Sequence, residues 1–424
     1  MAGVLPPSCD VAIVGAGAAG LATAIFARRL NPSRSVLLLD GAKKPGAKIL
    51  VSGGGRCNVT NITVSETDFW GGRRPVIRRV LRALPVDDTI AFFREIGVEL
   101  REEDDGKLFP DTNRARDVLD AVLREVDASG ARRLADHRVL DVHRAERGFR
   151  LVTSRGDVQA GAVVLATGGQ SLPKSGSDGA GFEIARRLGH TIVPTTPGLV
   201  PLVLGHGPDE DLHRELSGVA QDVELAVWVD GVVAARLEGA LLWTHFGISG
   251  PVALNASRHW LRAQLEGRAV RLTANFCPGE QSDGVDARWT SLAKARPNAS
   301  VQSALATMVP ASVAGALLRR LRIDAGGTLA HVTRDDRRAL VHALVEWPLD
   351  VAGTRGYNYA EVTAGGVALT EIDPSTMASR VCPGLFLVGE ILDVDGRIGG
   401  FNFQWAWSSA RVAGGGLARG DIPA

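Results

Sequence analysis

The stretch between Asp10 and Asp40 constrains the fold of this chain more than any other. Its apolar run Val11–Val14 predicts a buried strand, Ala18 to Leu30 has the spacing of an amphipathic helix, and "SVLLLD" predicts a second buried strand. Between the first strand and the helix, glycines stand at positions 15, 17 and 20 in the pattern G-x-G-x-x-G. A strand, a glycine turn, a helix and a strand that ends in an acid together predict a Rossmann-type βαβ unit.

Each glycine of this first glycine turn has a distinct expected role. Gly15 permits the tight turn, Gly17 lets the backbone approach a pyrophosphate, and Gly20 lets the helix pack closely on the strand. The helix N-terminus offers free amides and the positive end of its dipole to phosphates. Asp40 lies twenty residues after the last glycine and can accept hydrogen bonds from a ribose hydroxyl. The segment therefore predicts a dinucleotide site rather than a glycine-rich turn in an unliganded α/β fold.

Two later glycine turns favour FAD as that dinucleotide. The strand Ala162–Ala166 ends in a second glycine turn, Thr167–Gly169, and the strand Leu385–Val388 ends in a third, Gly389-Glu390. Three such turns suit a flavin laid across a doubly wound sheet. Glu390 is placed to bond the ribityl hydroxyls, and the amides of residues 400–402 are placed at a helix start to face the pyrimidine edge of the flavin. No second G-x-G-x-x-G follows a strand, so a separate nicotinamide-binding domain is not predicted.

The segment "KILVSGGGRCNVTN" contains the triple-glycine segment, Gly53–Gly55. We expect these glycines to approach the pyrophosphate and flavin, with Lys48 and Arg56 neutralising charge. Cys57 and Asn58 would then lie near the flavin ring. Arg56 could lower the pKa of the Cys57 thiol and make it reactive, whereas the alternative is a small, inert side chain that fills space under the cofactor.

The composition of the chain excludes several classes of protein. A chain of 424 residues has room for two or three domains, and its net charge of +1 and 45% hydrophobic content are those of a globular protein. No apolar stretch reaches the roughly 18 residues of a membrane span. The four cysteines lie far apart in sequence, which argues against a zinc site or a dithiol motif and fits a reducing compartment. We expect a cytoplasmic protein with no metal and no membrane contact.

The chain resembles the FAD-dependent flavoproteins of the YhiN/BaiN type and, more distantly, the flavoproteins of succinate dehydrogenase and fumarate reductase. The stretches that carry the resemblance extend from residue 11 to beyond residue 414 and include "IVGAGAAGL", "KILVSGGGRCNVTN", "LATGGQSLPKSGSDGAG", "THFGISGP" and "GLFLVGEILDVDGRIGGFNFQWAWSSARVAG". The resemblance implies non-covalent FAD. It also implies reduction of activated carbon–carbon double bonds, since one branch is similar to ribosomal RNA dihydrouridine synthases and another to reductases of unsaturated steroid-type intermediates.

The predicted fold class is α/β, a Rossmann-like FAD-binding domain with a doubly wound sheet, interrupted by an inserted β-barrel-like domain and a small helical subdomain. We expect the FAD-binding domain to take residues 1–190 and 349–424. Short, partly alternating apolar runs in 191–285 predict a small antiparallel barrel or sandwich that contacts substrate. Helical spacing in 286–348 predicts the helical subdomain.

Reduction of a double bond requires a proton donor as well as a hydride. The candidates are Cys57, His245, Tyr357 and Tyr359. The two tyrosines are the only ones in the chain, and on a strand they would share a face. Ordinary packing is the alternative for each candidate. The residues expected to contact FAD are Gly15, Gly17, Ala18, Ala19, Gly20, Asp40, Gly41, Lys48, Ser52, Gly53, Gly54, Gly55, Arg56, Cys57, Asn58, Val139, Thr167, Gly168, Gly169, Gly389, Glu390, Asp395, Gly400, Phe401 and Asn402.

The favoured function is therefore an FAD-dependent, NAD(P)H-driven reductase whose substrate is uridine in ribosomal RNA. A small-molecule ene-reductase acting on steroid-like or other enones is the alternative, and a flavin-binding redox sensor or assembly protein is the alternative from another class. Five arginines in "RRPVIRRVLR", residues 73–82, could meet RNA phosphates, although a solvated helix face is the ordinary reading of such a run. The sequence makes no prediction of the oligomeric state.

Overall fold

The structure is a computed structural model that describes residues 4–205 and 212–419. The described chain forms two compact units. Unit 1 contains the residues up to Pro197 and those from Glu361 onward, and unit 2 is Gly198–Ala360. Helices and strands are numbered in chain order through both units.

Unit 1 contains the elements that the first part of the sequence predicts. Its helices are α1 (Ala18–Leu30), α2 (Ala47–Gly55), α3 (Arg74–Leu81), α4 (Val86–Glu95), α5 (Ala115–Ala128), α6 (Ala180–Arg187) and α13 (Phe401–Arg419). Its strands are β1 (Ser8–Val14), β2 (Val36–Leu39), β3 (Thr60–Asn61), β4 (Phe69–Gly71), β5 (Leu100–Glu103), β6 (Lys107–Pro110), β7 (Arg132–Leu134), β8 (Val139–Arg144), β9 (Phe149–Thr153), β10 (Gly156–Leu165), β11 (Ile192–Gly198), β19 (Val362–Val367), β20 (Leu385–Leu387) and β21 (Val394–Gly396).

The main sheet of unit 1 has the order β7-β2-β1-β10-β9-β8, with β20 paired to β10. Strand β1 runs parallel to β2 and β10, and β10 runs parallel to β20. Val14 lies opposite Leu165, and Leu165 lies opposite Leu387. The three strands therefore end at the same level, and the three glycine turns that follow them leave from one edge of the sheet. The predicted Rossmann-like arrangement is confirmed.

The apolar sequence explains why β1 and β2 form the centre of this sheet. The runs "VAIV" and "VLLL" are wholly buried, as expected for parallel strands covered on both faces. Helix α13 closes one side of the unit and buries Trp405 and Trp407. The Trp405 indole N–H donates to the Gly389 carbonyl at 3.2 Å, and that of Trp407 donates to the Val59 carbonyl at 3.0 Å. Truncating a tryptophan packed in this way costs about 3–5 kcal/mol, so α13 firmly supports the third glycine turn.

Unit 2 combines a sheet with helices around one hydrophobic core. Its strands are β12 (Leu202–Leu204), β13 (Ala220–Val229), β14 (Val232–Thr244), β15 (Gly247–Ser249), β16 (Val270–Asn275), β17 (Trp347–Leu349) and β18 (Val351–Thr354). Its helices are α7 (Leu212–Glu215), α8 (Pro251–Leu265), α9 (Ser282–Ala295), α10 (Val301–Leu305), α11 (Ala311–Leu321) and α12 (Arg334–Val345). Helices α9–α12 occupy the part of the chain where helical spacing was found.

The sheet of unit 2 has the order β17-β16-β13-β14-β15-β12-β18, so the predicted barrel is not confirmed. Only Asp350 separates β17 from β18 in the chain, although the two strands stand at opposite ends of the order. The sheet must therefore curl until its ends approach. Among the described residues no ladder joins β17 to β18, and the sheet stays open. The alternating pattern predicted antiparallel strands correctly, but closure depends on hydrogen bonds that no local pattern specifies.

Within residues 4–205 and 212–419, no helix is both long enough and apolar enough to cross a membrane.

Candidate functional site

The first glycine turn shows three different demands on its glycines. Gly15 has φ of +103°, and a Cβ there would lie 2.5 Å from the Ala166 carbonyl oxygen. A Cβ on Gly20 would lie 1.9 Å from the Gly15 carbonyl oxygen. Packing within the protein therefore excludes a side chain at both positions. A Cβ on Gly17 would meet nothing within 4 Å, so packing does not explain that glycine, whereas the close approach of a ligand does.

The start of α1 is open to an anion. No side chain caps the helix at Gly17, and its first turn carries no acidic residue. Its first amides and the positive end of its dipole therefore remain available to phosphate groups. Together with the open space at Gly17, this arrangement fits the pyrophosphate of FAD.

Asp40 lies at the end of β2, beside the first glycine turn. Its two carboxylate oxygens accept backbone hydrogen bonds, Oδ2 from the Ala16 amide at 2.6 Å and Oδ1 from the Ala42 amide at 2.7 Å. A pocket of about 440 Å³ opens here, lined by Ala16, Leu38, Asp40, Lys43, Pro45, Asp127, Arg133, Leu134, Ala135 and Asp136. The carboxylate is thus held in place with lone pairs to spare, as the ribose of an adenosine group requires.

Glu390 connects the second and third glycine turns to α2. Its Oε2 lies 2.7 Å from Lys48 Nζ, and its Oε1 accepts hydrogen bonds from the Ser171 hydroxyl at 2.9 Å and from the Thr363 amide at 2.9 Å. Lys48 Nζ also donates to Ser171 Oγ at 2.7 Å. The Lys48 and Glu390 side chains are 25% and 20% exposed. Both residues were predicted to bind FAD separately, and the structure brings them together as one ion pair at the sheet edge.

The second glycine turn is braced by Thr363 of β19. The Thr363 hydroxyl accepts hydrogen bonds from the Gln170 amide at 2.7 Å and from the Ser171 amide at 3.1 Å. A Cβ on Gly169 would lie 2.3 Å from the same hydroxyl and 2.9 Å from Glu390 Oε1. The turn therefore packs directly against the Glu390 cluster, which consists of Lys48, Ser171, Thr363 and Glu390.

The triple-glycine segment follows a kink at Ser52, and its backbone leaves the right-handed helical conformation of α2. Gly53, Gly54 and Gly55 all have positive φ, at +54°, +69° and +85°, which side chains rarely adopt. A Cβ on Gly54 would meet nothing within 4 Å, and all three residues are exposed. The segment thus presents bare backbone to its surroundings, which fits the predicted close approach to a cofactor.

Arg56 is engaged by protein groups. Its Nη1 lies 3.0 Å and 2.7 Å from the two carboxylate oxygens of Glu103, and its guanidinium stands 4.0 Å from the centre of the Phe109 ring. The predicted role in neutralising cofactor charge stays a prediction. The geometry supports a positioning role, because these contacts fix the residue between the triple-glycine segment and Cys57.

Cys57 is fully buried, and burial raises the pKa of its thiol to about 12. A hydrogen bond with Ser52 opposes this rise without cancelling it. A reactive cysteine needs a stabilised thiolate, and this environment disfavours one. Of the two interpretations of Cys57, the geometry favours the inert side chain.

The start of α13 lies next to the residues that follow Cys57. The Asn58 side chain, with its amide oriented to satisfy its neighbours, accepts from the Gly400 amide at 3.1 Å and donates to the Thr60 carbonyl at 2.8 Å. Asn402 accepts from the Gly396 amide at 2.8 Å and donates to the Gly396 carbonyl at 2.9 Å. These bonds hold the "RIGGFN" turn in place, so both asparagines shape the helix start.

The remaining predicted FAD contacts are spread around this edge. Asp395 is buried in β21 and stands opposite Trp70 of β4, and Phe401 is buried at the start of α13. Gly41 packs against the Arg138 side chain. Val139 is buried at the start of β8 and does not line the pocket at Asp40. Its role as a cofactor contact stays a prediction.

The proton-donor candidates of unit 2 gather around Arg355. The Arg355 guanidinium stands 3.8 Å from the centre of the Tyr359 ring and 4.5 Å from that of Phe246. His245 contacts Phe246 edge to face, with ring centres 5.1 Å apart. The structure therefore brings the "THFG" and "YNY" segments together, and Tyr359 remains 52% exposed.

The expectation that Tyr357 and Tyr359 share a strand face is wrong. Strand β18 ends at Thr354, and residues 357–359 form a short 3₁₀ turn after Gly356, whose φ is +68°. In such a turn, residues two apart do not point the same way. A glycine in the left-handed region ends the strand, and the alternation argument does not apply beyond it.

Sequence reasoning missed Ser171, Thr363, Glu103 and Arg355. The first two complete the Glu390 cluster, and the others hold Arg56 and Tyr359. Ser171, Thr363 and Glu103 act across long sequence separations, so spacing could not reveal them, and Arg355 stands only four residues before Tyr359 but was not singled out. For Ser171 a signal existed, since it stands two residues after Gly169 in the quoted glycine turn.

Comparison with known proteins finds a matching family model and similar proteins. The model for the HI0933-like protein Rossmann domain matches residues 9–416. A ribosomal RNA dihydrouridine synthase of Escherichia coli (strain K12) is 35% identical over 405 residues, covering 95% of this chain and 96% of that protein. A 3-dehydro-bile acid delta(4,6)-reductase of Clostridium scindens is 31% identical over 404 residues, covering 95% of this chain and 98% of that protein.

A solved structure is similar over most of the chain. A quinol-fumarate reductase with menaquinol molecules aligns with a TM-score of 0.50 at 16% identity, covering 98% of this chain and 71% of that chain. At that identity the likeness shows the fold alone.

Proposed function

Because the chain belongs to the HI0933-like family of FAD-dependent oxidoreductases, we propose that it reduces an activated carbon–carbon double bond, with uridine in ribosomal RNA as the favoured substrate and NAD(P)H as electron donor. The observation that carries the proposal is the convergence of the three glycine turns at one sheet edge, together with the pocket at Asp40. The cytoplasm, where ribosomal RNA and NAD(P)H meet, is part of the same proposal.

The residues of unit 1 fit non-covalent FAD. Bound FAD would supply a hydride to one carbon of the double bond. Asp40 would hold the ribose, the open backbone at Gly17 and the uncapped start of α1 would hold the pyrophosphate, and the Glu390 cluster would bind the ribityl hydroxyls. Lys48 orients the Glu390 carboxylate, since it donates to both Glu390 and Ser171.

The candidates for the donor of the proton to the neighbouring carbon are Tyr359, Tyr357 and His245. Tyr359 is exposed, and the guanidinium of Arg355 stands against its ring, which holds the phenol in place. Tyr357 and His245 remain candidates because they belong to the segments that Arg355 joins. Cys57 is the weakest candidate, since its buried thiol has no exposed path to a substrate.

Two observations support RNA as the substrate. The Escherichia coli relative named for that activity is similar over nearly the whole chain. Helix α3 buries Ile77, Val80 and Leu81 and exposes the arginines on either side, which are Arg73, Arg74, Arg78, Arg79 and Arg82. Such a row of cations suits phosphate groups. Arg78 is already paired with Glu66.

The test compares ribosomal RNA from a gene-deletion strain with that from the same strain carrying the gene again. Nucleoside mass spectrometry should find dihydrouridine lost in the deletion and restored by the gene. Unchanged dihydrouridine would contradict the RNA substrate and leave the flavin chemistry to be assigned elsewhere.

The alternative substrate is a small unsaturated ketone, and the bile acid reductase relative of similar identity and coverage favours it. Anaerobic assays with NADPH and a steroid-type enone would separate the two. Rapid enone reduction together with unchanged ribosomal RNA would favour the alternative.

A further inference from the structure

Unit 2 exposes a long strand edge that the proposed function does not use. Strand β14 extends from Val232 to Thr244, and on one side it pairs with β13 from Val232 to Leu242. On the other side, β15 pairs only with Leu242–Thr244, and the chain at Gly250 lies against the Ala240 carbonyl. In the part of the chain that the structure describes, residues 232–239 have no strand on this side.

The backbone direction along this edge follows from the bonds at Trp243. Its amide donates to the Val219 carbonyl at 3.0 Å, and its carbonyl accepts from the Gly218 amide at 2.9 Å. The backbone N–H and C=O groups of Trp243 therefore point to the β13 side. The backbone N–H and C=O groups of successive residues in a strand point to opposite sides, and the pairing with β13 is regular from Leu242 back to Ala235. Arg236 and Glu238 therefore point their N–H and C=O groups to the open edge.

The side chains of the same two residues carry opposite charges on an exposed face. Arg236 donates to Glu224 of β13 at 2.5 Å. Glu238 stands directly opposite Glu224, which is a like-charge pair within the sheet. Among the described residues Glu238 makes no ion pair. Leu237, between them, faces the core of unit 2 and is only partly buried.

We propose that this edge pairs with the same edge of a second copy, so that two β14 strands run antiparallel about a two-fold axis at Leu237. The backbone groups of Arg236 and Glu238 at the two open edges can pair in three registers near the centre of the contact. Arg236 opposite Arg236 or Glu238 opposite Glu238 would set like charges face to face, which is unfavourable. Arg236 opposite Glu238 gives two Arg–Glu pairs, brings the two Leu237 side chains together and forms four backbone hydrogen bonds.

The arrangement also places the arginine of the second copy near the Glu224–Glu238 pair. In the isolated chain, Arg236 pairs with Glu224 only, so the charge of Glu238 is not compensated. Charges on an edge strand ordinarily prevent pairing. Here the two signs stand two residues apart, so the edge repels other registers and is complementary to itself. The contact is small, and we expect a weak dimer with a Kd in the micromolar range.

The experiment is a charge swap followed by sedimentation velocity of the full chain with FAD, from low to high micromolar concentration. The wild type should dimerise reversibly. Arg236→Glu and Glu238→Arg should each raise the dimer Kd about tenfold or more, because each turns two attractive pairs into repulsive ones. The double variant R236E/E238R should dimerise again, since it restores both pairs.

Arg334→Glu is the matched control, because it reverses an exposed arginine on α12 of the same unit. It should leave the dimer unchanged, and circular dichroism should show all variants folded. A wild type that stays monomeric would overturn the proposal. A dimer indifferent to both single variants, or a folded double variant that remains monomeric, would overturn it as well. None of these outcomes depends on which substrate the enzyme reduces.

Discussion

Replacing Gly17 with alanine should separate cofactor binding from folding. Its φ of −82° suits any residue, and the added Cβ meets no protein atom within 4 Å. Loss of a preferred N-cap residue and the reduced freedom of the unfolded chain act in opposite directions, so the stability of the apoprotein should change by less than about 1 kcal/mol. A methyl group at this point would keep the pyrophosphate from the backbone amides. Losing one charge-assisted hydrogen bond costs about 1.5–3 kcal/mol, which corresponds to an FAD Kd raised roughly 10- to 150-fold.

Gly20→Ala is the matched comparison, because its Cβ would lie 1.9 Å from the Gly15 carbonyl oxygen. The helix must shift to accept it, at a cost of about 1–3 kcal/mol in the stability of the apoprotein. Urea unfolding of the two apoproteins and titration with FAD, followed by flavin fluorescence, measure both effects. If the Gly17→Ala protein bound FAD with the affinity of the wild type, the placement of the pyrophosphate would be refuted.

Three further predictions concern the Glu390 cluster, the buried thiol and the tyrosines. Lys48→Met leaves Glu390 without its cation, and because both side chains keep some exposure the loss should be about 1–3 kcal/mol, below that of a fully buried pair. In urea unfolding, the double variant Lys48→Met/Glu390→Gln should lose less stability than the two single variants lose together. Additive losses would contradict an energetic coupling between Lys48 and Glu390. The pKa of Cys57 is raised from 9.0 to about 12, so the stability that its neutral thiol contributes is complete below pH 9 and is lost as the pH rises towards 12. Cys57→Ala should therefore flatten the fall in stability over that range, and an unchanged slope would show that the thiol titrates normally. Of Tyr357→Phe and Tyr359→Phe, the variant that removes the donor should slow substrate reduction about 100-fold or more while flavin reduction by NADPH continues. Normal turnover by both would exclude the tyrosines.

The sequence predicts the Rossmann-like half of the fold well because its signals are local. The run Val11–Val14, the glycine turn and the helix Ala18–Leu30 each depend on neighbouring residues, and the structure has the same elements. The common edge of the three glycine turns also follows, since parallel strands of one sheet end together. The open sheet of unit 2 could not be predicted, because β17 and β18 differ from barrel strands only in hydrogen bonds between distant residues.

In the candidate site, too, residues with local sequence signals could be predicted and residues joined by distant contacts could not. Asp40, Gly17 and Glu390 were predicted because each follows a buried strand, and the structure places all three at the sheet edge. The Lys48–Glu390 pair joins residues 342 positions apart, and Thr363 braces a turn almost 200 residues before it. Such contacts are set by packing. The shared face of Tyr357 and Tyr359 requires a strand, and β18 ends at Thr354, before Gly356.

We propose that this flavoprotein transfers reducing equivalents to uridine in ribosomal RNA. The most direct measurement incubates the FAD-loaded protein anaerobically with NADPH and ribosomal RNA from a strain that lacks the gene, then digests the RNA for nucleoside mass spectrometry. The account predicts dihydrouridine at a defined position, formed in proportion to the NADPH oxidised. Oxidation of NADPH that a steroid-type enone stimulates and RNA does not, with every uridine unchanged, would contradict it.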